Sequence, residues 1–265
     1  MDERAIVRRL HALKGRLPES MQAEAYRDDD RDVFTYGLLQ QAEVVVDLGG
    51  GFSPWNPLLA EEGRRVTVVD SFAGYWTSHW SGHEGADVAK LVELLRDAGV
   101  RLVEADLVAW EPAEHFAPRS VDVVFSSHTF EHFHSSPLPL LRRCLEVLRD
   151  GGRVVICVPN AVNLRKRLAV LVGRTNLPEF DSFFMGEGAY WGHVREYCTD
   201  DLRRLAAVLG LEDVRVFGRN WVGRAWVLAR AHVPAPLLRC GDWLLSRRAG
   251  LCTDLYLEGV VRHRT

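Results

Sequence analysis

The chain has 265 residues, 47% of them hydrophobic and 26% charged, which is the make-up of an ordinary globular protein with a sizeable core. Its 33 Lys and Arg against 36 Asp and Glu leave a formal net charge of -3, so there is no bulk basicity to hold nucleic acid, although local pairs such as Arg203 and Arg204 occur. The opening MDERAIVRRL lacks an apolar core behind its charges and no apolar run reaches bilayer length, so neither a signal peptide nor a membrane span is expected.

In chain order, residues 2–15 have helical periodicity and 20–41 accommodate one or two further helices around RDDDRD, giving a helical N-terminal cap over 1–41. A core over 42–217 follows. It starts with the apolar run 44–48, a glycine turn, a short helix through NPLLAEEG and a second apolar run, VTVVD, at 66–70. The segment SFAGYWTSHWSGHEGA has no periodicity. DVAKLVELLRDAG (87–99) is an amphipathic helix closing on Gly99. RLVEAD (101–106) and VDVVFSS (121–127) are strands three and four. PLPLLRRCLEVLRDGG (137–152) reads as a helix ended by glycines, and RVVICVPN (153–160) as a fifth strand. In the C-terminal segment 218–265, PLLRCGDWLLSRR is helical and amphipathic, and LYLEGVVRHR (255–264) is a final strand. Strands that alternate with helices and are apolar on both faces predict a mostly parallel α/β sheet with helices on both sides, in one domain. The five cysteines (Cys144, Cys157, Cys198, Cys240 and Cys252) are scattered without CxxC spacing, as expected of reduced thiols in a cytoplasmic protein.

Ligands of such sheets sit beyond the carboxyl ends of the strands, at the switch point. The residues found there are Asp47 with Gly49, Gly50 and Gly51 after strand one, Asp70 after strand two, Asp106 after strand three, and Ser126, Ser127 and His128 after strand four. Gly49-x-Gly51 permits a tight turn with close ligand approach, and an acidic residue about 20 positions on suits the paired hydroxyls of a ribose. The third glycine of a dinucleotide fingerprint is replaced by Pro54. A carboxylate at Asp47 repels a pyrophosphate but attracts an ammonium or a sulfonium. S-adenosylmethionine carries both cations, lacks phosphate and still has a ribose.

The row DLGGG…D…D resembles the class I S-adenosylmethionine-dependent methyltransferases. FSSHTFEHFHSSPLPLLRRCLEVLRDGGRVVICVPN is similar to that family's fourth strand, Glu-His turn, long helix, Gly-Gly turn and fifth strand, and GHVREYCTDDLRRLAAVLGLEDVRVF to a stretch of many small-molecule and sugar-modifying members. The resemblance covers 44 to 217. It implies a Rossmann-like, doubly wound sheet of seven strands whose last strand inserts antiparallel beside strand five. It implies S-adenosylmethionine as cofactor and S-adenosylhomocysteine as product. The glycine turn would pack on the methionine moiety with Asp47 orienting its ammonium. Asp70, followed by Ser71, would bind the ribose, Asp106, followed by Leu107, the adenine, and Ser126 and Ser127 would line the methionine tail.

Methyl transfer is an in-line displacement that needs chiefly alignment and exclusion of water. For a hydroxyl acceptor a base near neutral pKa helps, and His128, His132 and His193 are the candidates, each of which also has a purely structural reading. Tyr75, Trp76, Trp80, Tyr190 and Trp191 fall in loops and would shape a flat or partly apolar acceptor pocket. His128, Glu131, His132 and His134 cluster within seven residues, and His79 and His83 lie i, i+4 apart. No known zinc spacing is matched, so no metal is expected. A small-molecule acceptor, a sugar or secondary metabolite methylated on oxygen, is left, because motifs for nucleic acid or protein arginine acceptors are missing after strand four. Packing on the sheet, a homodimer surface and a membrane or lipid-linked contact remain open for the segment before the last strand. The alternatives are a dinucleotide-dependent oxidoreductase, or a protein that binds S-adenosylmethionine without methylating.

Overall fold

A computed structural model describes residues 2–19, 29–72, 85–177, 180–185, 190, 192–221, 241 and 243–263. Seven strands form one mixed sheet in the order β3-β2-β1-β4-β5-β7-β6: β1 (Val44–Leu48), β2 (Arg65–Asp70), β3 (Arg101–Glu104), β4 (Val121–Ser127), β5 (Leu148–Pro159), β6 (Glu212–Arg219) and β7 (Asp254–Val260). This is the Rossmann-like order expected from the sequence. The chain divides into two compact units, one of residues 1–125 and 139–152, the other of 126–138 and 153–265.

In the first unit, β1 and β2 pair in parallel from Val44 opposite Arg65 to Leu48 opposite Val69, and β3 continues in parallel beside β2. All five residues of β1 are buried, as a strand covered on both faces requires. Asp122 of β4 fixes the start of β1, because its Oδ2 accepts from the N–H groups of Glu43 and Val44 at 2.8 Å each. Among the described residues this unit's helices are α1 (Glu3–Lys14), α2 (Asp29–Leu39), α3 (Trp55–Glu61), α4 (Gly85–Asp97) and α5 (Leu138–Val147). Asp2 caps α1 by accepting from Ala5 N at 2.7 Å. Tyr36 of α2 donates to Glu62, just past α3, at 2.7 Å.

Lys14 is fully buried between Asp29 Oδ1 (2.7 Å) and Asp32 Oδ2 (2.6 Å), and Asp32 is itself 1% exposed. Removing one partner of a buried pair strands the other charge, which costs about 3–5 kcal/mol. Lys14→Ala is therefore expected to lower stability by that amount in urea unfolding, and Lys14→Met combined with Asp32→Leu to recover most of it. Recovery by Lys14→Met alone would argue against a stranded carboxylate.

In the second unit, β7 lies between β5 and β6 and is antiparallel to both, Pro159 and Arg219 each facing Asp254. The antiparallel insertion expected of the final strand is thus present. Helices α6 (Leu164–Leu171), α7 (Phe180–Phe184) and α8 (Thr199–Leu209) belong to this unit. α8 ends on Gly210 at φ 66, a left-handed cap that glycine adopts without strain. Asn160, fully buried just past β5, donates to the carbonyls of Gly250 (3.1 Å) and Cys252 (2.7 Å) and so ties the entry to β7 to the end of β5.

Two boundaries differ from the sequence reading. The helix read as running through the Gly-Gly turn stops at Val147, and LRDGG already belongs to β5. A left-handed Gly151 (φ 74), and a Gly152 whose Cβ would lie 2.8 Å from Arg149 O, let the chain kink inside the strand rather than end a helix. The third strand stops at Glu104, which leaves Asp106 in the following turn. Among the described residues no helix is long and apolar enough to cross a membrane. Much of the 236–248 segment lies outside the described residues.

Candidate active site

The first unit presents a row of carboxylates at the ends of three neighbouring strands. The glycine turn after β1 is left-handed at Gly49 (φ 70) and Gly51 (φ 40), and Gly49 N donates to Val69 O at 2.8 Å. The Asp47 side chain before this turn is fully buried, with Oδ2 accepting from Asn56 Nδ2 (2.7 Å) and Trp55 Nε1 (3.3 Å). A Cβ on Gly50 would lie 2.5 Å from the Asp47 carboxyl, so the bare glycine is what makes room for it. Oδ1 of Asp47 has no hydrogen-bond partner among the described residues. Burial pushes the Asp47 pKa up to about 7 against the two donors, with the Asp70 charge adding to the rise.

Asp70 accepts from Gly51 N at 3.0 Å through Oδ2 and from Phe72 N at 3.2 Å through Oδ1. Burial raises its pKa in spite of these bonds. Phe72 is held at φ 46, a conformation uncommon for a bulky residue. Ser71 is exposed beside it. Asp106 is exposed and accepts from Val108 N at 2.9 Å, whereas Leu107 is buried. The N–H of Ala105 donates to Asp70 O at 3.0 Å, which keeps the ends of β2 and β3 level.

The second unit gathers histidines and carboxylates beyond β4. Ser126 is buried, and Ser127 and His128 are half-buried. His128 has φ 53 and donates its N–H to Cys157 O at 2.9 Å. Its Nε2 lies 3.2 Å from Asp254 Oδ1 and its Nδ1 3.3 Å from Glu131 Oε1. Burial disfavours its charge, but Cys157 (Sγ to Nε2 3.7 Å), Asp254 and Glu131 outweigh this and hold its pKa well above the ordinary value. The same pairing holds Asp254 low against the effect of its own burial.

His132 and His193 come together as an edge-to-face pair with ring centroids 5.1 Å apart. His132 Nδ1 meets Gly192 O at 3.2 Å, and His193 Nδ1 meets Glu196 Oε1 at 2.9 Å. Both Nε2 atoms lie 4.0 Å from Oε1 of fully buried Glu131. Burial is the main influence lowering the His193 pKa to about 4, partly opposed by Glu131 and reinforced by His132, His128 and Lys166. The Tyr190 ring packs against Gly192, where a Cβ would meet its hydroxyl at 2.1 Å, and its carbonyl lies 2.9 Å from His134 Nε2.

The structure thus brings His128, His132 and His193 around one buried glutamate. Glu131 and Asp254 were missing from the residues picked out as functional. Tyr75, Trp76, Trp80 and Trp191, with His79 and His83, lie outside the described residues.

A family model described as a methyltransferase domain matches residues 4–216. Among solved structures, the chain is similar to a SAM-dependent methyltransferase from Archaeoglobus fulgidus, at 16% identity over 87% of this chain and 94% of that one with a TM-score of 0.50. It is also similar to an S-adenosylmethionine-dependent methyltransferase from Mesorhizobium loti, at 18% identity over 82% and 90% with a TM-score of 0.50. A third likeness is to phosphoethanolamine N-methyltransferase 2 of Haemonchus contortus, solved with phosphomonomethylethanolamine and S-adenosylhomocysteine, at 17% identity over 88% of this chain and 53% of that one with a TM-score of 0.51. This chain spans about half the length of the Haemonchus chain. No curated protein sequence matches.

Proposed function

The chain belongs to the methyltransferase-domain family and uses S-adenosylmethionine, and from that premise we propose that its acceptor is a hydroxyl of a small molecule, a sugar or secondary metabolite, methylated in the cytoplasm. Membership sets aside the dinucleotide-dependent oxidoreductase. In this reading the acceptor oxygen forms a bond to the methyl carbon as the carbon–sulfur bond breaks. The bonding pair returns to sulfur as a neutral thioether, and the hydroxyl proton passes to the protein. Asp70 takes the ribose hydroxyls, Asp106 the adenine amino group, and Asp47 the ammonium of the methionine moiety.

One observation carries the choice of a hydroxyl: two imidazole Nε2 atoms converge on the buried Glu131 carboxylate just beyond β4, each with its Nδ1 already engaged. Such a group accepts or displaces a proton. An amine acceptor, already nucleophilic when neutral, has less need of it. His128, paired with two carboxylates, keeps its proton and acts as a fixed positive charge rather than the base.

The reading is tested with methyl-labelled S-adenosylmethionine and a panel of sugars, phenols, amines, RNA and peptides, with Asp70→Ala as the cofactor-binding control. Label in a sugar or phenol, lost in Asp70→Ala, supports it. Label confined to amines, RNA or peptides overturns it.

A further inference from the structure

The same cluster deepens this reading. We propose that Glu131, His132 and His193 bind one divalent transition-metal cation of the zinc or cobalt type, through Glu131 Oε1 and the two Nε2 atoms. The three atoms lie within 4.8 Å of one another. Zinc–ligand bonds of about 2.0–2.1 Å set tetrahedral neighbours roughly 3.4 Å apart, so a cation would need to draw these atoms in by only about an ångström, within reach of side-chain torsions.

The orientation of the rings is the second ground. Gly192 O and Glu196 Oε1 can only accept, so the Nδ1 atoms that face them carry the protons of the neutral rings. That leaves each Nε2, 4.0 Å from Glu131 Oε1, as the ring nitrogen suited to a metal. Imidazole ligands are commonly held in this way, their other nitrogen donating to a carbonyl or carboxylate. Glu196 is itself fixed by an ion pair with Lys166.

Burial supplies a third ground. Glu131 is fully buried, and the contacts to its Oε1 are long, 3.3 Å from His128 Nδ1 and 4.0 Å from the Nε2 atoms of His132 and His193. Its neighbour His128 is shared with Asp254, which is 1% exposed. A cation between Glu131, His132 and His193 would give this buried side chain a ligating partner. Two histidines and a carboxylate with remaining open positions suit zinc, cobalt or iron rather than magnesium or calcium.

The backbone builds the site deliberately from distant parts. Glu131 and His132 share one short helical turn, Phe130–His132. The carbonyl of Glu131 accepts from Val194 N (2.7 Å) and Arg195 N (3.2 Å), which fastens the 193–195 stretch so that His193 faces the turn. An open position on the ion would take the acceptor oxygen and lower its pKa, replacing a protein base. That role rests on the hydroxyl-transfer reading, whereas binding of the ion does not.

The test uses cobalt chloride added to chelator-treated full-length protein. One equivalent of cobalt should produce the strong visible absorption of a four- or five-coordinate ion, be displaced by zinc, and give paramagnetically shifted, exchangeable Nδ1–H signals from two imidazoles. His193→Ala and Glu131→Gln should weaken binding by about 100-fold or more, while His134→Ala should not. Failure of the wild-type protein to take up cobalt overturns the proposal without recourse to variants. A thiolate-to-cobalt band, or undiminished binding by both ligand variants, overturns it as well. Stoichiometric binding through two imidazoles together with label found only on amines would leave the metal site standing and remove the hydroxyl reading.

Discussion

Asp47→Asn is expected to leave the protein's stability almost unchanged near pH 4 and to raise it progressively to pH 8, in spite of lying in the glycine-turn motif. The carboxyl is fully buried, and its pKa stands at about 7 against an ordinary 3.8. For an acid whose folded pKa is raised, the stabilising contribution is fully present below the unfolded pKa and is lost as pH rises through the folded one. The fold therefore carries a penalty that opens near pH 4 and saturates above pH 7. A shift of about three units corresponds to roughly 4 kcal/mol. Asparagine is neutral at every pH, fills the same volume, and keeps an oxygen for the Asn56 and Trp55 donors. The expected gain in melting temperature at pH 8 is on the order of 10 °C for a chain of this size, vanishing toward pH 4. Thermal unfolding of both proteins across that range reads it directly, and a gap independent of pH would rule out ionisation as its source.

The same substitution is expected to weaken S-adenosylmethionine binding, most clearly above pH 7. A ligand ammonium near Asp47 would favour the ionised carboxylate and return part of that penalty on binding, and asparagine has no charge to release. A residue that weakened the fold yet strengthened the cofactor complex would show the kind of local conflict expected of a functional position.

Most of the frame was legible because it rests on local pattern. β1 and β4 are largely apolar runs and the acidic row falls where strand ends must fall, so the parallel sheet follows from alternation, while its doubly wound arrangement followed from the resemblance. Even the antiparallel β7 could be placed from LYLEGVV and the resemblance. The misreadings arise where a local signal has two physical uses. A Gly-Gly pair ends helices, but here it kinks a strand. Asp47 precedes glycines, and nothing adjacent announces that Trp55 and Asn56, eight and nine residues on, hold its carboxyl in a fully buried position. The Glu131 centre is still less legible. His132 and His193 are 61 positions apart and meet through the backbone bonds from Val194 and Arg195 to Glu131, which no sequence period encodes. Asp254 opens β7, and its pairing with His128 depends on β7 lying beside the end of β5.

That last pairing sets the second large effect. Asp254→Asn is expected to destabilise the protein by about 3 kcal/mol at pH 5.5, the lower end for a broken buried pair because the His128 side chain is 25% exposed. The amide can still accept from Trp221 N and Thr253 Oγ1, the other partners of the Asp254 carboxylate, so the loss isolates the charge on His128. The sign follows from both partners. His128 is held high, so its contribution is complete below about pH 6.5 and fades as pH rises through its folded value. Asp254 is held low, so its contribution is complete above about pH 3.9 and fades as pH falls through its folded value. The gap between wild type and variant is therefore widest between about pH 4 and 6.5 and narrows at high pH. In a His128→Asn background, chosen because asparagine tolerates φ 53, Asp254→Asn should have little effect, giving a coupling of about the full 3 kcal/mol. Urea unfolding of the four proteins at pH 5.5 and pH 9 measures this. An additive cycle would mean that Asp254 acts through Trp221 and Thr253 alone and that His128 keeps its proton without it.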